Sequence, residues 1–113
     1  MNIAIPMCRN RISPLFEVAE SFWLIRMDCP DLMEHLLLPS TMCIAEKCRA
    51  LLRSGVVVLL CGALSRKWQD YLATLGVEVH AFLSGDGADV LRAFLREEGK
   101  ALDCYAMPGR GKG

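Results

Sequence analysis

The apolar run NIAIPM at residues 2–7 is followed by the polar stretch CRNRISP and then by a second apolar run, SFWLIRM, at residues 21–27. A parallel return between two such strands needs a crossover of a dozen or more residues, usually a helix. Here the Ser13–Pro14 step interrupts the connection, and the residue before a proline is pushed away from helical backbone angles. A turn therefore replaces the crossover helix, and the second strand is expected to run antiparallel beside the first. Pro6 predicts that the regular ladder of the first strand ends near it, because proline lacks an N–H.

The rest of the chain reads as a regular alternation. Phe16–Ala19 reads as a short extended lead-in to the second strand. DCPDL at residues 28–32 is turn chemistry, and Met33–Leu38 returns as a third strand, closing a hairpin. Ser40 and Thr41 offer N-cap hydroxyls to a helix in which Ile44, Ala45, Cys48, Leu51 and Leu52 recur at helical spacing and Gly55 marks the end. Val56–Cys61 is a continuous apolar run suited to a strand buried on both faces. Ser65 opens a second helix, with Trp68, Tyr71, Leu72 and Leu75 on one side and Gly76 at its end. Val77–Phe82 is the last strand, and Asp86 opens a helix closing at Gly99.

The expected architecture is an α/β fold with a five-stranded mixed sheet, order 3-2-1-4-5, strand 2 antiparallel to strands 1, 4 and 5, and helices on both faces. Residues 1–99 read as a single domain and residues 100–113 as a flexible tail ending in a Gly-rich basic segment. Thirteen basic and thirteen acidic residues cancel, so no global field steers the chain to nucleic acid or an anionic membrane. The aromatic residues sit at core spacing and do not interleave with basic ones as a stacking platform would. No leader or membrane-length apolar run is read; a cytoplasmic location and reduced thiols are expected for the six cysteines.

Order 3-2-1-4-5 places a switch point between the first and fourth strands, where α/β sheets form a crevice at the carboxyl ends. Cys8 and Cys61 end those two strands, and Cys43 opens the first helix at the same end of the sheet. One reading makes these three cysteines soft sulfur ligands for a metal or metal–sulfur cluster; the plainer one makes Cys8 and Cys61 small buried hydrophobes. An anion is the second expectation. Ser13, Ser65 and Ser84, with Gly62 and Gly85, fall in the loops at that end, close to helix N-termini. Arg9 and Arg11 add positive charge; ordinary capping and solvated surface charge account for the same residues.

Enzyme templates fail. The phosphate-binding loop with its Gly-Lys-Ser/Thr ending is absent, and SGDGADV lacks the third glycine of a dinucleotide site. His35 and His80 fall in predicted edge strands, with no triad-like partners, and the acidic residues form no convergent set. No catalytic role is expected.

Together these stretches carry a resemblance. NIAIPM…RISPLFEVAESFWLI matches an opening strand followed by Ile12, Ser13, Phe16, Ala19 and Phe22 in the pattern [IV]-S-x-x-F-x-x-A-x-x-F. SGVVVLLCGALS and LGVEVHAFLSGDGADVLRAF follow in the right order, so the likeness spans Asn2–Leu95. The chain resembles the dinitrogenase iron–molybdenum cofactor biosynthesis family, which includes NifX-like, NifB C-terminal and orange-protein-like members. The resemblance implies a ribonuclease H-like three-layer fold and the binding or carriage of an iron- or molybdenum-containing sulfide cluster, with a cofactor-assembly protein as partner. A cofactor-free interaction or regulatory domain on the same fold is the alternative. Ala63 stands where the family has the second glycine of a Gly-Gly loop, and the chain ends without the family's Cys/His-rich tail.

Overall fold

A computed structural model describes residues 1–97, 102 and 105–107. The predicted helix end at Gly99, Cys104 and the terminal Gly/basic residues 108–113 lie outside the described residues. The elements are β1 (Asn2–Cys8), β2 (Arg11–Ile12), β3 (Ser21–Arg26), β4 (Cys29–Leu37), α1 (Ile44–Arg53), β5 (Val56–Leu60), α2 (Arg66–Thr74), β6 (Glu78–His80) and α3 (Gly87–Glu97).

The mixed sheet has six strands and not the expected five: five run β4-β3-β1-β5-β6 in the expected order, and the two-residue β2, too short to read from an apolar pattern, pairs β1 off that path. β3 is antiparallel to β1, in a register from Asn2↔Arg26 to Met7↔Ser21, whereas β5 and β6 continue in parallel. The reversal falls at the Arg9–Asn10 turn, earlier than the Ser13–Pro14 step, since β2 already runs antiparallel to β1. The β5 ladder stops at Ala4↔Leu59, two residues short of Pro6, so the residue without an N–H falls where no donor is needed on that side.

Alternate residues of the central strands feed two cores. Ala4, Phe22, Leu24 and Leu59 pack with Cys48 and Leu51 of α1 and Leu72 of α2. Ile3, Ile5, Met7, Ile25, Val58 and Leu60 pack with Val90, Ala93 and Phe94 of α3. Period-2 strand faces and helices on both sides make three layers. Gly55 and Gly76, at φ 79° and 88°, follow α1 and α2 as predicted, in the left-handed conformation that ends helices. Among the described residues no helix is long and apolar enough to cross a membrane.

Several local expectations change. Phe16–Ala19 is a turn and not an extended lead-in, and its ends are gathered by Lys47, as described below. β4 begins at Cys29, earlier than Met33, because the ladder jumps from Ile25↔Met33 to Arg26↔Cys29 and bulges residues 30–32 outward. β6 is confined to Glu78–His80, since Phe82 adopts φ 62° and leaves the extended region. Cys43, not Ser40 or Thr41, is the N-cap of α1 and makes no side-chain cap bond. Within the stretch expected to be a flexible tail, Leu102 is buried and the Met107 N–H donates to the Phe82 carbonyl at 2.8 Å.

Candidate functional site

The loops at the carboxyl ends of β1, β5 and β6 are knitted together by main-chain bonds. Ala63 N–H donates to the Pro14 carbonyl at 2.7 Å, and Phe16 N–H returns to the Ala63 carbonyl at 3.1 Å. A Cβ on Gly62 would stand 2.4 Å from the Ser13 carbonyl oxygen and 2.6 Å from that of Pro14. Stretch 13–16 therefore lies directly on the end of β5. The predicted crevice between β1 and β5 is filled at that point by the chain itself.

The two cysteines that end the flanking strands have different surroundings. Cys61 is 0% exposed. Burial, with Cys48 nearby, pushes its thiol up to about 12. It belongs to the α1–α2 core, the small-hydrophobe role that free cysteines often take. Cys8 is exposed. It pairs with Arg11 across a two-residue turn of Arg9 and Asn10, with Arg9 at φ 62°. Residues directly opposite in an antiparallel pair hold their Cβ atoms about 4.5–5.5 Å apart on one face. The Cys8 thiol and the Arg11 side chain thus start from neighbouring positions. Arg9 and Arg11 are exposed, and neither forms an ion pair among the described residues.

Further bonds bring the start of α3 to this hairpin. Ile12 N–H donates to the Gly85 carbonyl and Gly87 N–H to the Asn10 carbonyl, both at 2.9 Å, and Arg11 bridges Asp86. Asp86 Oδ1 accepts from the Ala88 and Asp89 amides at 2.9 and 3.1 Å, so its carboxylate is the N-cap of α3. Ser84 and Gly85, both partly exposed, are held beside the hairpin by this network.

The remaining predicted residues have other surroundings. Ser13 is buried, and its hydroxyl donates to the Leu15 carbonyl at 3.2 Å. Ser65 is exposed at the N-cap of α2 without a side-chain cap bond, and Cys43 is exposed at the N-cap of α1. Those two helices pack on the sheet face opposite α3. The structure thus brings the main chain of Cys8, Arg9, Arg11, Ser84 and Gly85 together, uses Ser13 and Gly62 to seal the loop above β5, buries Cys61 in the α1–α2 core, and leaves Cys43 and Ser65 exposed at the N-caps of α1 and α2. Open grooves lined by Met27, Val58, Glu78, Phe94 and Leu95, and by Met1, Asn2, Leu24, Arg26 and Glu34, lie towards the opposite end of the sheet.

One buried charge escaped the reading of the sequence. Lys47 of α1 is 0% exposed, and its Nζ donates to the carbonyls of Glu17 at 2.5 Å and Ala19 at 2.9 Å. Burial lowers its pKa, while Glu20 and Glu17 act to raise it. The signal was present: Lys47 lies three residues after Ile44 and four before Leu51, on the apolar stripe.

No protein-family model matches the chain, and no curated protein does. Solved structures do match. The apo form of the orange protein from Desulfovibrio gigas shares 22% identity over 84% of this chain and 87% of that one, with a TM-score of 0.73. A Thermotoga protein provisionally assigned as NifB shares 21% over 85% and 88%, with a TM-score of 0.69. A protein of Methanocaldococcus jannaschii provisionally assigned as a dinitrogenase shares 20% over 87% and 89%, with a TM-score of 0.64. At these identities the likeness is one of fold.

Proposed function

We propose, for a chain with the fold of dinitrogenase cofactor-biosynthesis-like structures, that it binds and carries an anionic metal–sulfide unit at the Cys8–Arg11 hairpin. We read the three layers as the ribonuclease H-like arrangement. The observation that carries the proposal is the exposed Cys8 thiol opposite Arg11, beside Arg9, with both guanidiniums free of carboxylate partners among the described residues. A thiolate supplies one soft ligand, and two arginines supply planar, permanently charged donors for an anion. Among the described residues no three His, Cys, Asp or Glu side chains come together to hold a metal ion. The cargo that fits is a unit bringing its own sulfide ligands, and iron or molybdenum as its metal is what the family resemblance implies. Ser84 and Gly85 flank it, and Cys61 and Cys43 take no part.

This reading requires no catalytic step; a cofactor-assembly protein would load or receive the unit. Titration with tetrathiomolybdate, followed by its charge-transfer absorption, tests it. Cys8→Ser and Arg11→Gln should each weaken binding about tenfold, the effect of roughly 1.4 kcal/mol, while Cys43→Ser leaves it unchanged. Equal titrations for all four proteins would sink the proposal. The alternative, a cofactor-free interaction domain, is favoured by one observation: edge strand β4 exposes Leu32, Met33 and Leu37. Elemental analysis of anaerobically purified protein separates the two, since stoichiometric iron or molybdenum supports only the carrier.

A further inference from the structure

Phe82 is a non-glycine residue at φ 62°. For a bulky side chain this conformation is strained and persists only where the surroundings over-determine it. Four main-chain bonds tie residues 82–84. Phe82 N–H donates to the Gly62 carbonyl at 2.8 Å, Leu83 N–H to the Cys61 carbonyl at 2.9 Å and Ser84 N–H to the Tyr105 carbonyl at 2.7 Å, and the Phe82 carbonyl accepts from Met107 N–H at 2.8 Å. Two of the four come from the C-terminal segment, which also bridges Leu83 through Ala106. The Tyr105 ring lies over Gly85, where a Cβ would come within 3.3 Å of its Cδ1.

From Phe82 the path to the hairpin is short and continuous. Gly85 accepts the Ile12 amide, and Asp86 bridges Arg11, the residue opposite Cys8. We propose that Tyr105–Met107 is a positioning strap: it holds Phe82 in its left-handed conformation, and through residues 83–86 it fixes the Cys8–Arg11 hairpin. A partner that draws the strap away would then act on the hairpin without touching it. The inference does not depend on what the hairpin binds.

Met107→Pro in the full chain deletes the N–H that the Phe82 carbonyl accepts and also stiffens the strap at residues 106 and 107. Amide exchange at Ile12 should quicken about fivefold, the equivalent of one main-chain hydrogen bond. Met107→Ala, which keeps the N–H, should leave that rate unchanged. In a Phe82→Gly background, where glycine adopts positive φ without strain, Met107→Pro should have under half its effect on the logarithm of the rate. Alkylation of Cys48 and Cys61 reports the whole fold, because both are buried in the core under α1 and α2. The proposal is overturned if Ile12 exchange does not change, if Met107→Ala matches Met107→Pro, if the Phe82→Gly background leaves the effect intact, or if Cys48 and Cys61 become labelled together with the quickened exchange.

Discussion

A single lysine shows how one side chain holds a turn that has no ladder of its own. Lys47 reaches from α1 to the carbonyls of Glu17 and Ala19, gathering the chain just before β3. Lys47→Met keeps the stem and removes both bonds, leaving buried acceptors unmatched. Urea unfolding should show a loss of about 2 kcal/mol, the usual range for a buried polar group left unpaired. Cys8 and Cys61 make the complementary point about legibility. Each ends an apolar strand, so local pattern treats them alike. What separates them is a loop from elsewhere in the chain lying over one strand end and not the other, which no window of neighbouring residues records.

Among the elements, the 13–16 loop depends on one glycine more than on its own residues. Gly62→Ala would drive a methyl into the carbonyls of Ser13 and Pro14. Overpacking against backbone, which cannot rotate away, costs about 1–3 kcal/mol, and thermal unfolding should show a matching fall in Tm. The strands with strong apolar runs, β1, β3 and β5, were legible because burial on two faces leaves a continuous signature. β4 was legible only from Met33 onward: its first residues bulge, are exposed and include Pro30, features that suit an edge strand and read as a turn. The end of β6 was hidden for a different reason. Val77–Phe82 looks extended throughout, but Phe82 is held at positive φ by bonds from residues 62 and 107, far away in sequence.

At the scale of the molecule, two thiols tie stability to pH. Burial pushes Cys48 up to about 11 and Cys61 up to about 12, against 9.0 for an unfolded thiol. The unfolded chain therefore loses these protons first. Their contribution is fully present below pH 9 and is lost as pH rises through the folded values of about 11 and 12. Denaturant titrations between pH 8 and pH 11 should show stability falling, with a limiting slope of about 1.4 kcal/mol per pH unit for each thiol. Cys61→Ala should flatten that slope even though it lowers the starting value. The sheet order itself was the most legible feature of the whole, because one missing crossover fixes which strand reverses and where the helices must go. The surroundings of the switch point were less so: stretch 13–16, which local pattern does not place, closes the space expected there. Sealing that seam moves the exposed thiol from the floor of a cleft to a protruding fingertip. A group buried in a cleft must diffuse out before another macromolecule meets it. On the proposed reading, a unit held at a fingertip passes between two surfaces in a single encounter, so its exchange would be set by how often the surfaces collide and not by the opening of a pocket.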